Sequence, residues 1–246
     1  KFRKLMNGYE QVRFKSKLLL ILSRTPTRNV DISILLFKRY DRRPTKMTRK
    51  EYSASAVKLS FWFMEFKKVV YLLYEGRSIN EIQEINRAQN IFGAPTKQRA
   101  EQIFNTVSTR AQCLSTSFYS LFSIGDISTQ KLIALVAVME TDTLFFDFVY
   151  EVIREKMIIG SNEYSNNDLR RFFHSKQLQS EKVAKWTEAT IKRLSRCYKT
   201  MLFEAGMTDK SKLTRRIVKP ILDPQLEHLL KDNDMEPIAK ALMGVR

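Results

Sequence analysis

Apolar positions along the chain recur at spacings of three and four residues, the period of a helix that buries one face. Ala100, Ile103, Phe104, Val107, Ala111 and Leu114 keep to it. So do Ile191, Leu194, Tyr198, Met201, Leu202 and Ala205. Two stretches, 128–139 and 142–159, are apolar on nearly all sides and read as central helices. Further helices are expected at 9–23, 30–40, 61–75 and 78–86, and around Leu169, Phe172 and Phe173. Only 213–219 (LTRRIVK) has strand character. No repeat of fixed period is visible.

The punctuation is helical as well. Gly76, Gly93, Gly125, Gly160 and Gly206 each follow an apolar segment, where a helix end favours a residue that tolerates positive φ. Ser78 and Glu81 have the spacing of a capping box, each satisfying a backbone donor near the other. Asp223 precedes Pro224 as an N-cap. Pro95, Pro224 and Pro237 suit a first helical turn, and Asn166-Asn167 suits a cap. The expected fold is all-α, with two helix-turn-helix-like units and at most one short β-ribbon, or wing, at 213–219. Three parts are expected: a basic N-terminal helical extension at 1–46, a helical subdomain at 47–127 and a second at 128–246.

Composition narrows the class. Of 246 residues, 43% are apolar and 28% charged, enough to bury a core. The longest apolar run, 132–139, is eight residues, far below the roughly 18 a membrane span needs. Cys113 and Cys197 stand apart and outside any CxxC, so they are expected as reduced core or boundary residues of a cytoplasmic protein. The net charge is +17, which favours a polyanionic partner. Residues 1–46 carry 13 Lys/Arg against 3 Asp/Glu, so the excess is concentrated at the front. That front segment is either partner-binding or a solvated basic tail.

The stretch 180–206 (SEKVAKWTEATIKRLSRCYKTMLFEAG) poses the most direct functional question. A short helix breaks at Trp186-Thr187, and a basic amphipathic helix restarts with Thr187 as its cap. Thr190, Lys192, Arg193, Arg196 and Lys199 face away from its apolar stripe. A DNA-recognition helix needs this division, one face packed and the other presenting donors. Taken alone, the helix reads equally as a surface helix with a solvated basic face. Behind Gly206 come Lys210, Lys212, Arg215, Arg216 and Lys219, either a wing that contacts phosphates or a plain basic linker. The brace expected for the recognition helix is the short helix at 180–185. Its junction at Trp186-Thr187 is tighter than the usual turn.

A second unit at 78–114 repeats the order of short helix, turn and longer helix. It exposes Lys97, Gln98, Arg99, Gln102 and Asn105. A three-helix packing unit without nucleic acid explains it as well. Catalytic patterns are missing: no GxxxxGK[ST], GxGxxG or HExxH occurs. His174 and His228 are isolated. Asp142 and Asp147 read as a cap and an edge carboxylate. Trp62 and Trp186 read as core anchors. No cofactor, metal or small-molecule substrate is expected. The charge is mostly of the phosphate-contacting kind, so sequence preference is expected to be weak. The other classes kept open are a protein scaffold and an RNA-binding protein.

The segments MTRKEYS, the SxxE helix, NIF and PTKQRA resemble the start of BrxA proteins. The likeness continues through DTLFFDFVYEVIREK, DLRRFF, VAKWTEATIKRLSRCYKTMLFEAGM and IVKPILDPQLEHLL. It covers about 47–246 through order and residue type rather than a catalytic signature. BrxA proteins are small components of bacteriophage-exclusion (BREX) defence systems. The resemblance implies a cytosolic, all-helical, non-catalytic protein that binds double-stranded DNA. It also implies defence partners, among them a methyltransferase and an ATPase. Carried onto this chain, the DNA-facing positions are Thr190, Lys192, Arg193 and Arg196, with Lys97 and Arg99 on the second unit; Lys199, Arg215 and Arg216 join the candidate contacts from the basic faces read above.

Overall fold

The computed structural model describes residues 50–246. The helices expected at 9–23 and 30–40, and the 1–46 extension, lie outside the described residues. The rest is helical with one small β-ribbon, as the all-α reading requires. A one-turn 3-10 segment (Ser55–Val57) leads to α1 (Phe63–Tyr74), α2 (Ile79–Gln89), α3 (Lys97–Gln112), α4 (Thr116–Ile124) and α5 (Ile127–Thr141). Next come α6 (Thr143–Phe148), a π-helical turn (Val149–Ile153) and α7 (Arg154–Ile158). Then follow β1 (Glu163–Ser165), α8 (Asn166–Gln179), α9 (Glu181–Ala184), α10 (Glu188–Glu204) and β2 (Thr214–Arg216). The described chain ends with α11 (Pro224–Asp232) and α12 (Glu236–Met243).

The caps explain most of the boundaries. Ser78 and Glu81 close the expected capping box on α2. Thr187 Oγ1 accepts from the Thr190 N–H at 3.2 Å, and Asp223 caps α11 through the Gln225 N–H. Pro224 and Pro237 sit in first turns, but Pro95 lies ahead of the Thr96 cap and outside α3. The cap of α8 is Ser165, in a box with Asp168, and not Asn166-Asn167. Gly76, Gly93, Gly160 and Gly206 take positive φ as expected. Gly125 differs: φ is −69° because α4 ends in an extended residue that leads straight into the Asp126 cap of α5.

Helix α5 is the axis of the core. All eight residues of 132–139 are buried, as a helix apolar on every side demands. It packs against α3, α4 and α6. Nearly all the buried apolar side chains form one contiguous cluster running from Ala56 to Leu242. Around Tyr198 of α10 lie the rings of Phe145, Phe148 and Phe173, with centroids 5.0, 5.7 and 6.0 Å away. Phe148 in turn meets Tyr164 of β1 and Phe172 of α8. This aromatic nucleus locks α6, β1, α8 and α10 into one unit.

Asp147 is no edge carboxylate. It is 1% exposed and accepts from Lys176 Nζ at 3.0 Å and from Tyr52 Oη at 2.7 Å. The π turn and its flanks put Asp147 and Glu151 on one side of the helix, and Lys176 bonds both. Asp142 does act as a cap, accepting from the Phe145 N–H. Trp62 is buried, and Trp186 packs against the core while half-exposed. Cys113 and Cys197 are free and half-buried.

Candidate nucleic-acid interface

The ribbon forms where strand character was expected, but its partner is remote. β2 pairs antiparallel with β1, Glu163 opposite Arg216 and Ser165 opposite Thr214. On its other side the ribbon meets 207–209. The Val218 N–H donates to Met207 O at 2.8 Å, the Asp209 N–H to Arg216 O at 3.1 Å, and Thr208 bridges Ile217. The order is therefore helix (143–158), strand, helix α8, helix α10, short strand, loop 210–213, strand.

This order corrects the expected brace. Helix α8 reaches α10 through the Phe173–Tyr198 ring contact and a bond from Lys199 Nζ to Asn166 Oδ1 at 2.9 Å, while the 3-10 turn and α5 pack on α10 from other sides. Residues 180–185 contribute only the single turn α9 to the connection. The abrupt Trp186-Thr187 junction is thus the end of a turn, closed by the Trp186 N–H on Val183 O.

Along α10 the exposed residues Ala189, Arg193, Arg196, Thr200 and Phe203 follow helical spacing and form one outward stripe. The guanidinium groups of Arg193 and Arg196 have no hydrogen-bond or ion-pair partner among the described residues. Lys192, beside them, pairs with Glu188 at 2.9 Å. That bond and the nearby Arg170 hold the Glu188 carboxyl below its usual range. Thr190 is half-exposed, its hydroxyl 3.0 Å from that of Thr187.

Two of the expected contact residues are occupied within the fold. Lys199 is half-buried on Asn166, and burial, with Arg215 and Arg196 close by, lowers its pKa. Arg215 donates to Lys199 O at 2.7 Å and to Ser211 O at 3.1 Å, tying the loop to α10. Arg216, Lys210 and Lys212 are exposed. Lys210 Nζ lies 5.8 Å from the centre of the Phe203 ring, so the loop borders the C-terminal end of the stripe. Arg170, exposed on α8, joins the basic surface near the start of α10. Nothing local in the sequence marks it, because its nearness to Glu188 depends on the α8–α10 turn.

Lys97 and Arg99 belong to a separate surface on α3. Lys97 is exposed. Arg99 lies over the Trp62 ring at 4.9 Å and donates to Gln102 Oε1 at 2.7 Å, so its charge is already engaged.

Among the described residues no helix is long and apolar enough to cross a membrane. No group of three or more His, Cys, Asp or Glu side chains there is arranged to hold a metal. Among solved structures, the crystal structure of an uncharacterized protein from Magnetospirillum magneticum matches with a TM-score of 0.67. The match covers 79% of this chain and all of that one, at 16% identity, and so speaks to the fold alone. The "BREX protein BrxA" of Bacillus cereus (strain H3081.97) is 38% identical over 168 residues, 68% of this chain and 84% of that protein. The BrxA family model matches residues 50–234, and the chain belongs to the BrxA family.

Proposed function

We propose that this protein is a non-catalytic, double-stranded-DNA-binding component of a BREX phage-defence system, acting in the cytoplasm beside other defence proteins such as a methyltransferase and an ATPase. The relative's name carries the BREX assignment. In this reading 143–217 is a winged helix: α8 and α10 are the helix-turn-helix, α10 enters the major groove, and 210–213 is the wing. The observation that carries it is the pair Arg193 and Arg196, exposed, without partners among the described residues, and bordered by a basic loop. Lysine and arginine surfaces gain affinity by releasing counterions from phosphates. Lys192, Arg170 and Arg216 extend the same surface, while Lys199 and Arg215 support it from within. Lys97 is a secondary phosphate contact.

The test is a mobility-shift titration at low salt with Arg193→Ala/Arg196→Ala. Affinity for duplex is expected to fall on the order of 10²-fold, and the salt slope to shrink by roughly two, with the circular-dichroism spectrum unchanged. Unchanged duplex affinity in a folded double variant would remove α10 from the interface. Competition by single strands and structured RNA at one salt concentration separates the duplex from other polyanions. Equal or tighter binding of RNA would transfer the assignment.

A further inference from the structure

The tip of the wing is chemically odd. Among its neighbours Lys210, Ser211, Lys212 and Thr214, Leu213 stands 80% exposed. A loop tip has no structural need for a large apolar side chain in water. A lone exposed leucine means little by itself, but here a rigid frame holds it out.

The wing is braced rather than loose. Asp209 Oδ1 accepts from the Ser211 N–H at 3.2 Å and the Arg216 N–H at 3.1 Å, and its Oδ2 accepts from the Ser211 hydroxyl at 2.9 Å. Arg215 fastens Ser211 O to Lys199 O. The strand that follows is paired on both sides. The tip therefore projects from a fixed frame beside the Arg193–Arg196–Thr200–Phe203 stripe, to which Lys210 joins it. Its flanks, Lys210, Lys212 and Arg216, are cationic and exposed. An apolar point between cations matches a groove with phosphates on both rims and stacked bases at its floor. An apolar protein groove offers no partner for those flanking charges.

We propose that Leu213 is a wedge that enters the minor groove next to the recognition site, partly unstacks one base step and bends the duplex. This inference rests on the duplex-binding reading above and adds to it. The preferred ligand is then a duplex with a deformable pyrimidine–purine step beneath the wing, read through its flexibility rather than its base edges.

The experiment uses the full chain and duplexes of about 30 base pairs, long enough for the roughly one-turn spacing between adjacent grooves. They carry end-to-end fluorescence-transfer dyes and 2-aminopurine beside a single TA step. The wild-type protein is expected to raise transfer efficiency and 2-aminopurine emission on binding. Leu213→Ser is expected to bind within about tenfold of wild type while losing both signals, because the unstacking cost and the gain from bending largely offset each other. Leu213→Met is expected to restore them. A wild-type complex that stays straight, or a Leu213→Ser complex that bends equally, overturns the wedge. If wild type binds duplex and Arg193→Ala/Arg196→Ala weakens that binding as expected, the failure belongs to the wedge alone. If wild type does not bind duplex, the duplex-binding reading fails with it.

Discussion

At Gly244, α12 ends with φ at +59°, and a Cβ built there would lie 2.5 Å from Met157 Cβ. Two costs coincide: an L side chain in the left-handed region, and a contact between two backbone-anchored carbons that cannot move apart cheaply. Gly244→Ala is expected to destabilise the fold by about 2–4 kcal/mol, seen as a lower urea midpoint at unchanged slope. Trp62 holds φ at +50° without being glycine. Its neighbours are clamped by Arg110, which is 4% exposed and donates to Ser60 O at 3.0 Å and Phe61 O at 2.8 Å. Burial lowers the Arg110 pKa to about 10. Such positions are hard to foresee: a glycine after an apolar run announces a helix end, but a strained tryptophan depends on an arginine about fifty residues away.

Among the elements, residues 51–57 matter beyond their length. They form a strap across the unit built from α6, β1, α8 and α10. Glu51 pairs with Lys182 of α9 at 3.1 Å, Tyr52 bonds Asp147, and the 3-10 turn packs on α10. The hydroxyl of Tyr52 donates to a carboxylate that the buried Lys176 also holds. Burial acts to lower the Lys176 pKa, yet its bonds to Glu151 and Asp147 outweigh this and hold it raised. Tyr52→Phe removes one donor from that buried network and is expected to cost about 1–2 kcal/mol in chemical denaturation, with the helical spectrum intact. The strap shows where pattern reading stops. The helices α2, α3 and α10 are legible from an apolar period and a capping side chain, α1 from an apolar run that stops at Gly76, and α5 from a run that is apolar on every side. β1 is not: three residues inside the polar run SNEYSNN carry no period, and their strand character comes from pairing with β2. The α10 half of the candidate site follows from helical spacing. The roles of Lys199 and Arg215 as internal ties do not, since both depend on that pairing and on Asn166.

For the whole molecule, pH acts through the end of α5. Burial pushes the Glu140 carboxyl up to about 7, with Lys50 opposing, and one of its oxygens is buried without a hydrogen-bond partner. Burial likewise raises Asp142 to about 6, opposed by its bond from the Phe145 N–H and by Arg110. Both values exceed those of the unfolded chain, so folding favours the protonated forms. Their contribution to stability is complete below about pH 4 and is lost as pH rises through about 6 to 7. Glu140→Gln removes one of these groups. Its urea midpoint is expected to fall less than that of wild type between about pH 5 and pH 8, and to exceed wild type at the upper end. Parallel pH profiles for the two proteins would show that Glu140 is not the titrating group. The ribbon has a different consequence, one of assembly order. β2 is held between β1 and residues 207–209, and β1 lies before α8. The loop at 210–213 is closed locally, by 207–209 against 216–218, but its returning strand is also tied to the remote β1. The pairing of β2 with β1 closes only after α8, α9 and α10 have folded back over the aromatic nucleus, so the fixing of the loop against the rest of the unit is a late step. A fragment that begins after Ser165 is expected to keep the local pairing of 207–209 with 216–218 and to lose the strand that fixes it to the rest of the unit.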